Sequence, residues 1–345
     1  MSRALYHFMG QVAHVFVCYG SVSLDAAVRV MGTLEVPFSN LYFLLFFGGD
    51  RARLPAGAHV YELEARRYSE WTRSFRIARW YRDILADIEA QGTTEIVAYV
   101  AHPFELPGND LIYSNGLVKR RELLPDGLVN YISAPVVPSG LIGRARYAAR
   151  VALRILGARG SGLHYRVLWR GQITQVQEDL YDRAWCDVAE GFYAPPCGTT
   201  LLPIHSRQTR AGVPRGTLLL DQELRELANE DLEWKLRRRF VEIAAEFANE
   251  PLFYKGHPRG QNRATAFSLE VRDVSRESRA EDLLDALALG RLVGFYSTPL
   301  LFPQDGLERI AILPELGAAG VRKPELLKQL HAVLTNGGAK IVKVR

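Results

Sequence analysis

Continuous apolar runs alternate with amphipathic stretches along most of the chain. His14 to Tyr19 (HVFVCY) is a short run rich in β-forming residues. The turn Gly20-Ser21-Val22-Ser23 and a helical pattern from Leu24 to Met31 follow it. Strand, loop and helix in that order open a doubly wound domain. The unbroken apolar character of Asn40 to Phe47 predicts a buried strand, and His59 to Leu63 another. Ser69 to Ala90 carries Trp71, Phe75, Ile77, Trp80, Tyr81, Ile84 and Ile88 at helical spacing, with Gln91-Gly92 as its stop. Strands are predicted at Glu95 to Val100, at Asp110 to Tyr113 before the turn Ser114-Asn115-Gly116, and at Tyr165 to Arg170. Ile142 to Leu156 reads as a helix whose charges are mainly arginine, while Gln172 to Tyr193 shows no clear period.

Breaks at Ala194 to Gly198 and Gly212 to Gly216 place a boundary between them, and the alternation then restarts. Strands are predicted at Thr217 to Leu220, Pro251 to Lys255, Phe267 to Val271, Leu292 to Tyr296 and Ile310 to Leu313. Helices are predicted within Gln222 to Asn249, at Ala280 to Leu289 and at Pro324 to Asn336. Strand alternating with helix argues for parallel sheets. The expected architecture is α/β, with residues 1–205 and 206–345 as two Rossmann-like domains and a cleft between them.

Composition changes this picture little. The 345 residues are 48% apolar and 23% charged, which suits a folded chain of two ordinary domains. No apolar stretch is long enough to cross a bilayer, and the first residues show no signal-peptide pattern. Cys18, Cys186 and Cys197 are odd in number and widely spaced, so neither a disulfide framework nor a zinc site is indicated, and a cytoplasmic location is expected. The net charge is +5, with arginine concentrated at Arg144, Arg146, Arg150, Arg154 and Arg159 and a second basic cluster at Lys235 and Arg237 to Arg239. Such clusters are either solvated helix faces or surfaces that meet anionic lipid, as at the inner membrane, or an anionic glycan. No nucleic-acid-binding signature accompanies them.

Chemistry concentrates where apolar runs end. Tyr254-Lys255-Gly256-His257-Pro258-Arg259-Gly260 leaves one strand, and Gly294-Phe295-Tyr296-Ser297-Thr298-Pro299 leaves another. Ligands bind at that edge of an open α/β sheet. His257, held between proline and glycine, could donate to a phosphate or protonate a leaving group, or could simply turn the chain. Ser297 and Thr298 precede a proline suited to a helix start, where hydroxyls and N–H groups bind phosphate; Thr298 could equally be a cap. Glu281 reads either as the far end of a capping box from Ser278 or as a carboxylate on nucleotide sugar hydroxyls. Asp126 sits in the turn Pro125-Asp126-Gly127 and is also a candidate general base. His102-Pro103 matches no hydroxyl pair and is read as a wall of an acceptor site or as incidental. There is no Asp-x-Asp metal motif, P-loop, Gly-x-Gly-x-x-Gly or Gly-x-Ser-x-Gly.

Together these features resemble the bacterial sialyltransferases of GT-B fold, including the capsule polysialyltransferase branch. His257-Pro258 is similar to their His-Pro motif, Ser297-Thr298 to their paired serines, and Asp126-Gly127 to the end of their acidic-acidic-Gly motif. HVFVCYGSVSLDAAVRV is similar to their first strand and helix, and Leu218-Leu219-Leu220-Asp221-Gln222 to the strand opening their second half. Pro125 stands at the first acidic position, and Thr298 at the second serine. The resemblance implies a metal-independent, inverting transfer of sialic acid or a related acidic sugar from a CMP-sugar to a surface-glycan acceptor, as in capsule or lipopolysaccharide synthesis, with no cofactor. Asp126 would then deprotonate the acceptor, and His257 would assist the departing CMP phosphate. Lys255, Gly256, Pro258, Ser297 and Thr298 would line the nucleotide site, with Glu281 on the ribose. The rivals are a CDP-glycerol-type glycerophosphotransferase and a non-catalytic CMP- or glycan-binding protein.

Overall fold

The computed structural model describes residues 11–46, 51–176, 178–189, 198–204, 216–257, 264, 267–277, 280–301 and 306–345. Among them the chain forms two compact units. One comprises residues 11–130, 134–186 and 198–204; the other comprises 131–133, 187–189 and the described residues from 216 onward.

The first unit runs β1 (Gln11–Cys18), α1 (Ser21–Met31), β2 (Leu41–Leu45), β3 (His59–Glu62), α2 (Glu70–Ala90), β4 (Thr93–Val100), α3 (Leu106–Tyr113), β5 (Val118–Leu123), α4 (Leu141–Gly160), β6 (Arg183–Cys186) and β7 (Thr200–Pro203). The described strands form one parallel sheet in the order β3-β2-β1-β4-β5-β6-β7. Every residue of β2 is buried, as the unbroken apolar run requires of a strand covered on both faces. The Ser69 hydroxyl caps α2 by accepting from the Thr72 amide, and Ile77, Tyr81, Ile84 and Ile88 form its buried stripe. Trp71 and Phe75, at the start of that pattern, remain exposed.

The second unit runs β8 (Gly216–Leu220), α5 (Glu230–Glu246), β9 (Leu252–Lys255), β10 (Val271–Asp273), α6 (Ala280–Ala286), β11 (Leu289–Gly294), β12 (Glu308–Pro314), α7 (Pro324–Asn336) and β13 (Lys340–Val344). Its parallel sheet has the order β10-β9-β8-β11-β12-β13, the full Rossmann arrangement. Asn229 caps α5 by accepting from the Leu232 amide at 3.0 Å. Leu232, Leu236, Phe240 and Ile243 pack from that helix against Leu219, Tyr254, Val293 and Phe295.

Two predicted strands are not strands. Asp110 to Tyr113 belongs to α3, with a proline in its first turn, and Asp110 is turned inward to accept from the Tyr81 hydroxyl at 2.9 Å. Tyr165 to Arg170 is irregular, because its backbone is satisfied by side chains instead of a ladder. The Arg166 amide donates to Asn109 Oδ1 at 2.7 Å, and the Leu168 carbonyl accepts from the Tyr147 hydroxyl. The strand expected at Phe267 to Val271 begins only at Val271. No helix among the described residues is long and apolar enough to cross a membrane.

Candidate functional site

In each sheet the strand order reverses beside the first strand, between β1 and β4 and between β8 and β11. Connections leave in opposite directions there, and the crevice outside the carboxyl ends of the strands is where such sheets bind ligands.

In the first unit β1 delivers Tyr19 to this edge and β4 delivers His102. Their rings stack at 4.0 Å between centroids and 9° between planes. Gly108 makes room for the stack, since a Cβ there would lie 2.5 Å from the Tyr19 hydroxyl oxygen and 2.7 Å from the His102 carbonyl oxygen. His102 Nδ1 accepts from the Phe104 amide at 3.3 Å, which puts the proton of the neutral ring on Nε2. Nε2 lies 4.0 Å from Asp126 Oδ2.

Asp126 lies three residues beyond β5. Gly127 follows it at φ 67°, a left-handed conformation that glycine adopts without penalty. The Asp126 amide donates to Asn130 Oδ1 at 2.6 Å, which closes the turn. The turn expected from Pro125-Asp126-Gly127 is therefore present, and it presents the carboxylate to His102 as well. Burial pushes the Asp126 carboxyl above its usual value, with His102 pulling the other way. Burial likewise lowers His102, opposed by Asp126 and Glu105. The Asp126 side chain still keeps 24% of its surface open to solvent. A carboxylate of raised proton affinity, reachable from solvent and facing an imidazole, suits general-base chemistry. The sequence leaves His102 as a wall of an acceptor site or as incidental, and its position just after a strand places it at this edge. Nothing in the sequence singles out Tyr19 or Gly108.

In the second unit β8 leads into Asp221, a buried carboxylate. It accepts from the Tyr254 hydroxyl, from Arg237 Nη1 and from the Gln222 amide, each at 2.7 Å. β9 ends at Lys255, whose ammonium donates to the Ser275 carbonyl at 2.7 Å. The Gly256 amide donates to Ser275 Oγ at 2.8 Å, so the loop after β10 holds the segment that leads into His257. β11 leads through the buried Phe295 to Ser297, which is also buried. The Ser297 carbonyl accepts from the Leu300 amide at 3.0 Å. Thr298–Leu301 forms a 3-10 turn with Pro299 inside it, and the next four residues lie outside the described ones.

His257 and Ser297-Thr298 thus follow β9 and β11, the two strands that flank β8, at the same edge of the sheet. Glu281 lies in α6, which leads into β11. Pro258, and Ser278 of the expected capping box, lie outside the described residues. Asp126 belongs to the first unit and the other candidates to the second.

No family model matches the chain, and no curated protein does. Solved structures do. The GT-B domain of a sialyltransferase from Photobacterium damselae is 14% identical, with a TM-score of 0.51 over 96% of this chain and 100% of that one. A longer structure of the sialyltransferase from that genus gives a TM-score of 0.48 at 14% identity, over 97% of this chain and 81% of that one. The glycosyltransferase SnogD from Streptomyces nogalater gives 0.48 at 14% identity, over 97% and 87%. Identity this low speaks to architecture, and the two parallel sheets found above agree with it. The chain has an α/β fold of two doubly wound units, the GT-B fold.

Proposed function

We propose that the chain is a glycosyltransferase that moves sialic acid or a related acidic sugar from a CMP-sugar donor to a glycan acceptor, with inversion and without a metal. The observation that carries this reading is Asp126. A carboxylate whose proton affinity is raised by burial, reachable from solvent and beside His102, sits at the ligand-binding edge of a sheet. In that role it accepts the proton of the attacking sugar hydroxyl. The leaving CMP phosphate is assigned to the second unit. His257 donates to it or protonates it, and the Ser297 and Thr298 hydroxyls with the Lys255-Gly256-His257-Pro258 segment line its site. Glu281 is assigned to the ribose. Stabilising the departing charge with fixed donors does the work a metal does in other transferases.

Exposed Leu141 and Ile142 at the start of α4, followed by Arg144 and Arg146, support peripheral contact with an anionic membrane surface. Co-sedimentation with anionic but not neutral vesicles checks that part.

The central test is product analysis with CMP-sialic acid and with CDP-glycerol, each offered with a panel of glycan acceptors in the presence of a chelator. Sialylated product from the first donor alone supports the reading. Glycerophosphate transfer would replace it with the phosphotransferase, and CMP binding without turnover of either donor would replace it with a binding protein.

A further inference from the structure

The first unit also holds a polar cavity of about 140 Å³ walled by α2, α4 and the turn after β4. Its charged residues are Glu70, Arg73, Glu105, Arg150 and Arg154, three guanidinium groups against two carboxylates. Both carboxylates are already engaged. Arg150 Nη2 lies 2.6 Å from Glu70 Oε1, and Arg154 grips Glu105 with Nε at 3.2 Å and Nη2 at 2.6 Å. Arg73 is left with no carboxylate in ion-pair contact among the described residues. Its Nη2 donates to the Tyr68 carbonyl at 3.0 Å, and its buried Nε has no acceptor. Arg154 is nine-tenths buried with its guanidinium 4.1 Å from the Phe104 ring centre, and its Nη1 has no acceptor either.

Guanidinium N–H groups buried without an acceptor are costly. Here two of them belong to residues lining one cavity that carries an excess positive charge. Arg150 and Arg154 also stand one turn apart on α4, so like charges face each other there. An oxyanion in the cavity offsets the excess positive charge and the facing guanidinium groups, and carboxylates and phosphates are the groups that arginine forks hold best. The volume, roughly four to five waters, takes one such group with part of a sugar. Phe104 joins the cavity to the candidate base: its ring borders the cavity and its amide donates to His102.

We propose that this cavity binds the carboxylate or phosphate of an anionic acceptor glycan and so fixes where the acceptor's hydroxyl meets Asp126. The identification of the ligand as acceptor rests on the glycosyltransferase reading, whereas the anion site itself stands on the cavity.

The test is titration calorimetry of the full chain with glucuronic acid, glucose 6-phosphate and glucose as probes, and separately with CMP. Wild type is expected to bind at least one charged sugar and not glucose, and the charged sugar that binds tells carboxylate from phosphate. Arg73→Gln is expected to weaken that binding about tenfold or more, the loss of one charge-assisted contact, with CMP affinity unchanged. Arg154→Gln alone would strand Glu105, so it is made together with Glu105→Gln, and this pair should weaken binding to a similar degree. The proposal is overturned if neither charged sugar binds, if glucose binds as well as they do, or if Arg73→Gln keeps full affinity. Charged-sugar binding that Arg73→Gln abolishes, without any CMP binding, would uphold the anion site and sink the transferase reading instead.

Discussion

Asp126 and Asp221 are carboxylates at the same edge of two similarly wound sheets, and their surroundings are opposite. Asp221 has a guanidinium, a phenol and a backbone amide on its oxygens. Asp126 has only the imidazole of His102, at 4.0 Å, among the described residues. The first arrangement compensates a buried charge and ties β8, β9 and α5 together. The second leaves the charge poorly compensated, which burial turns into a raised proton affinity. A carboxylate fully engaged by its neighbours is a strut, and one held without partners is available to a substrate proton.

The sharpest break of this comparison comes from Asp126→Asn. If Asp126 is the base, transfer falls by about 10²- to 10⁴-fold, the usual contribution of a general base. His257→Ala, which removes the group assigned to the leaving phosphate, should cost a similar factor. Stability should move the other way for Asp126→Asn. The folded-state pKa lies above the unfolded value, so between the two the folded chain holds more protons, and stability falls as pH rises through that window. A neutral side chain escapes that cost. Urea melts at pH 7 should show Asp126→Asn as stable as wild type or more so. A large loss of stability would make Asp126 a strut as well.

Asp221→Asn is the mirror experiment. It takes one of two carboxylates from the Arg237 guanidinium, which keeps Glu233 at 2.7 Å and the Gln222 carbonyl at 3.1 Å. It also removes the charge that the Tyr254 hydroxyl donates to. Leaving a buried charge wholly uncompensated costs about 3–5 kcal/mol, and with Glu233 still on Arg237 the loss should fall at or below the lower end of that range. The midpoint of urea unfolding should drop accordingly. Little change would dissolve the distinction between the two carboxylates.

The same contrast explains what the sequence could and could not convey. β1, β2, β8 and β12 are legible because strands buried on both faces need unbroken apolar runs. β5 is hidden because four of its six residues, Lys119, Arg120, Arg121 and Glu122, are charged. It is a strand because Glu122 is buried against partners distant in sequence, accepting from Trp185 Nε1 at 2.6 Å. α3 was misread for a related reason. Asp-Leu-Ile-Tyr has β-like composition, and the helix is fixed from outside by Asn109, which donates to the Pro103 and Arg166 carbonyls. At the candidate site, His257 and Ser297-Thr298 were visible as polar residues ending apolar runs. The partnership of His102 with Asp126 was not, because it joins the ends of β4 and β5 across a turn whose geometry depends on Gly127 and Asn130.

That partnership can be sharpened by pH. His102 lowers the Asp126 pKa, against the larger effect of burial. His102→Phe keeps an aromatic ring against Tyr19 and removes the imidazole. The acidic limb of kcat/KM should therefore move to higher pH, because a base with a higher pKa loses its proton later. An unmoved limb, with kcat/KM otherwise altered, would give His102 a role in the acceptor wall alone.

The smallest expected effect tests the second unit by its support and leaves its charges in place. Ser275 accepts the Gly256 amide through Oγ and the Lys255 ammonium through its carbonyl, and its own amide donates to Asp273 Oδ1 at 2.9 Å. Ser275→Ala removes the first contact and keeps the other two, so Lys255 stays anchored while the Gly256 amide loses its acceptor one residue before His257. A neutral hydrogen bond contributes about 1 kcal/mol, or roughly fivefold in an equilibrium. If Gly256 and His257 hold the nucleotide phosphate, CMP affinity should fall by up to that factor. The pH limb set by Asp126 should not move, since nothing in the first unit has changed. Weaker CMP binding with the limb unmoved would separate phosphate binding in one unit from proton transfer in the other. Unchanged CMP affinity would show that the loop after β9 needs no support from β10 and would weaken the assignment of Gly256 to the phosphate.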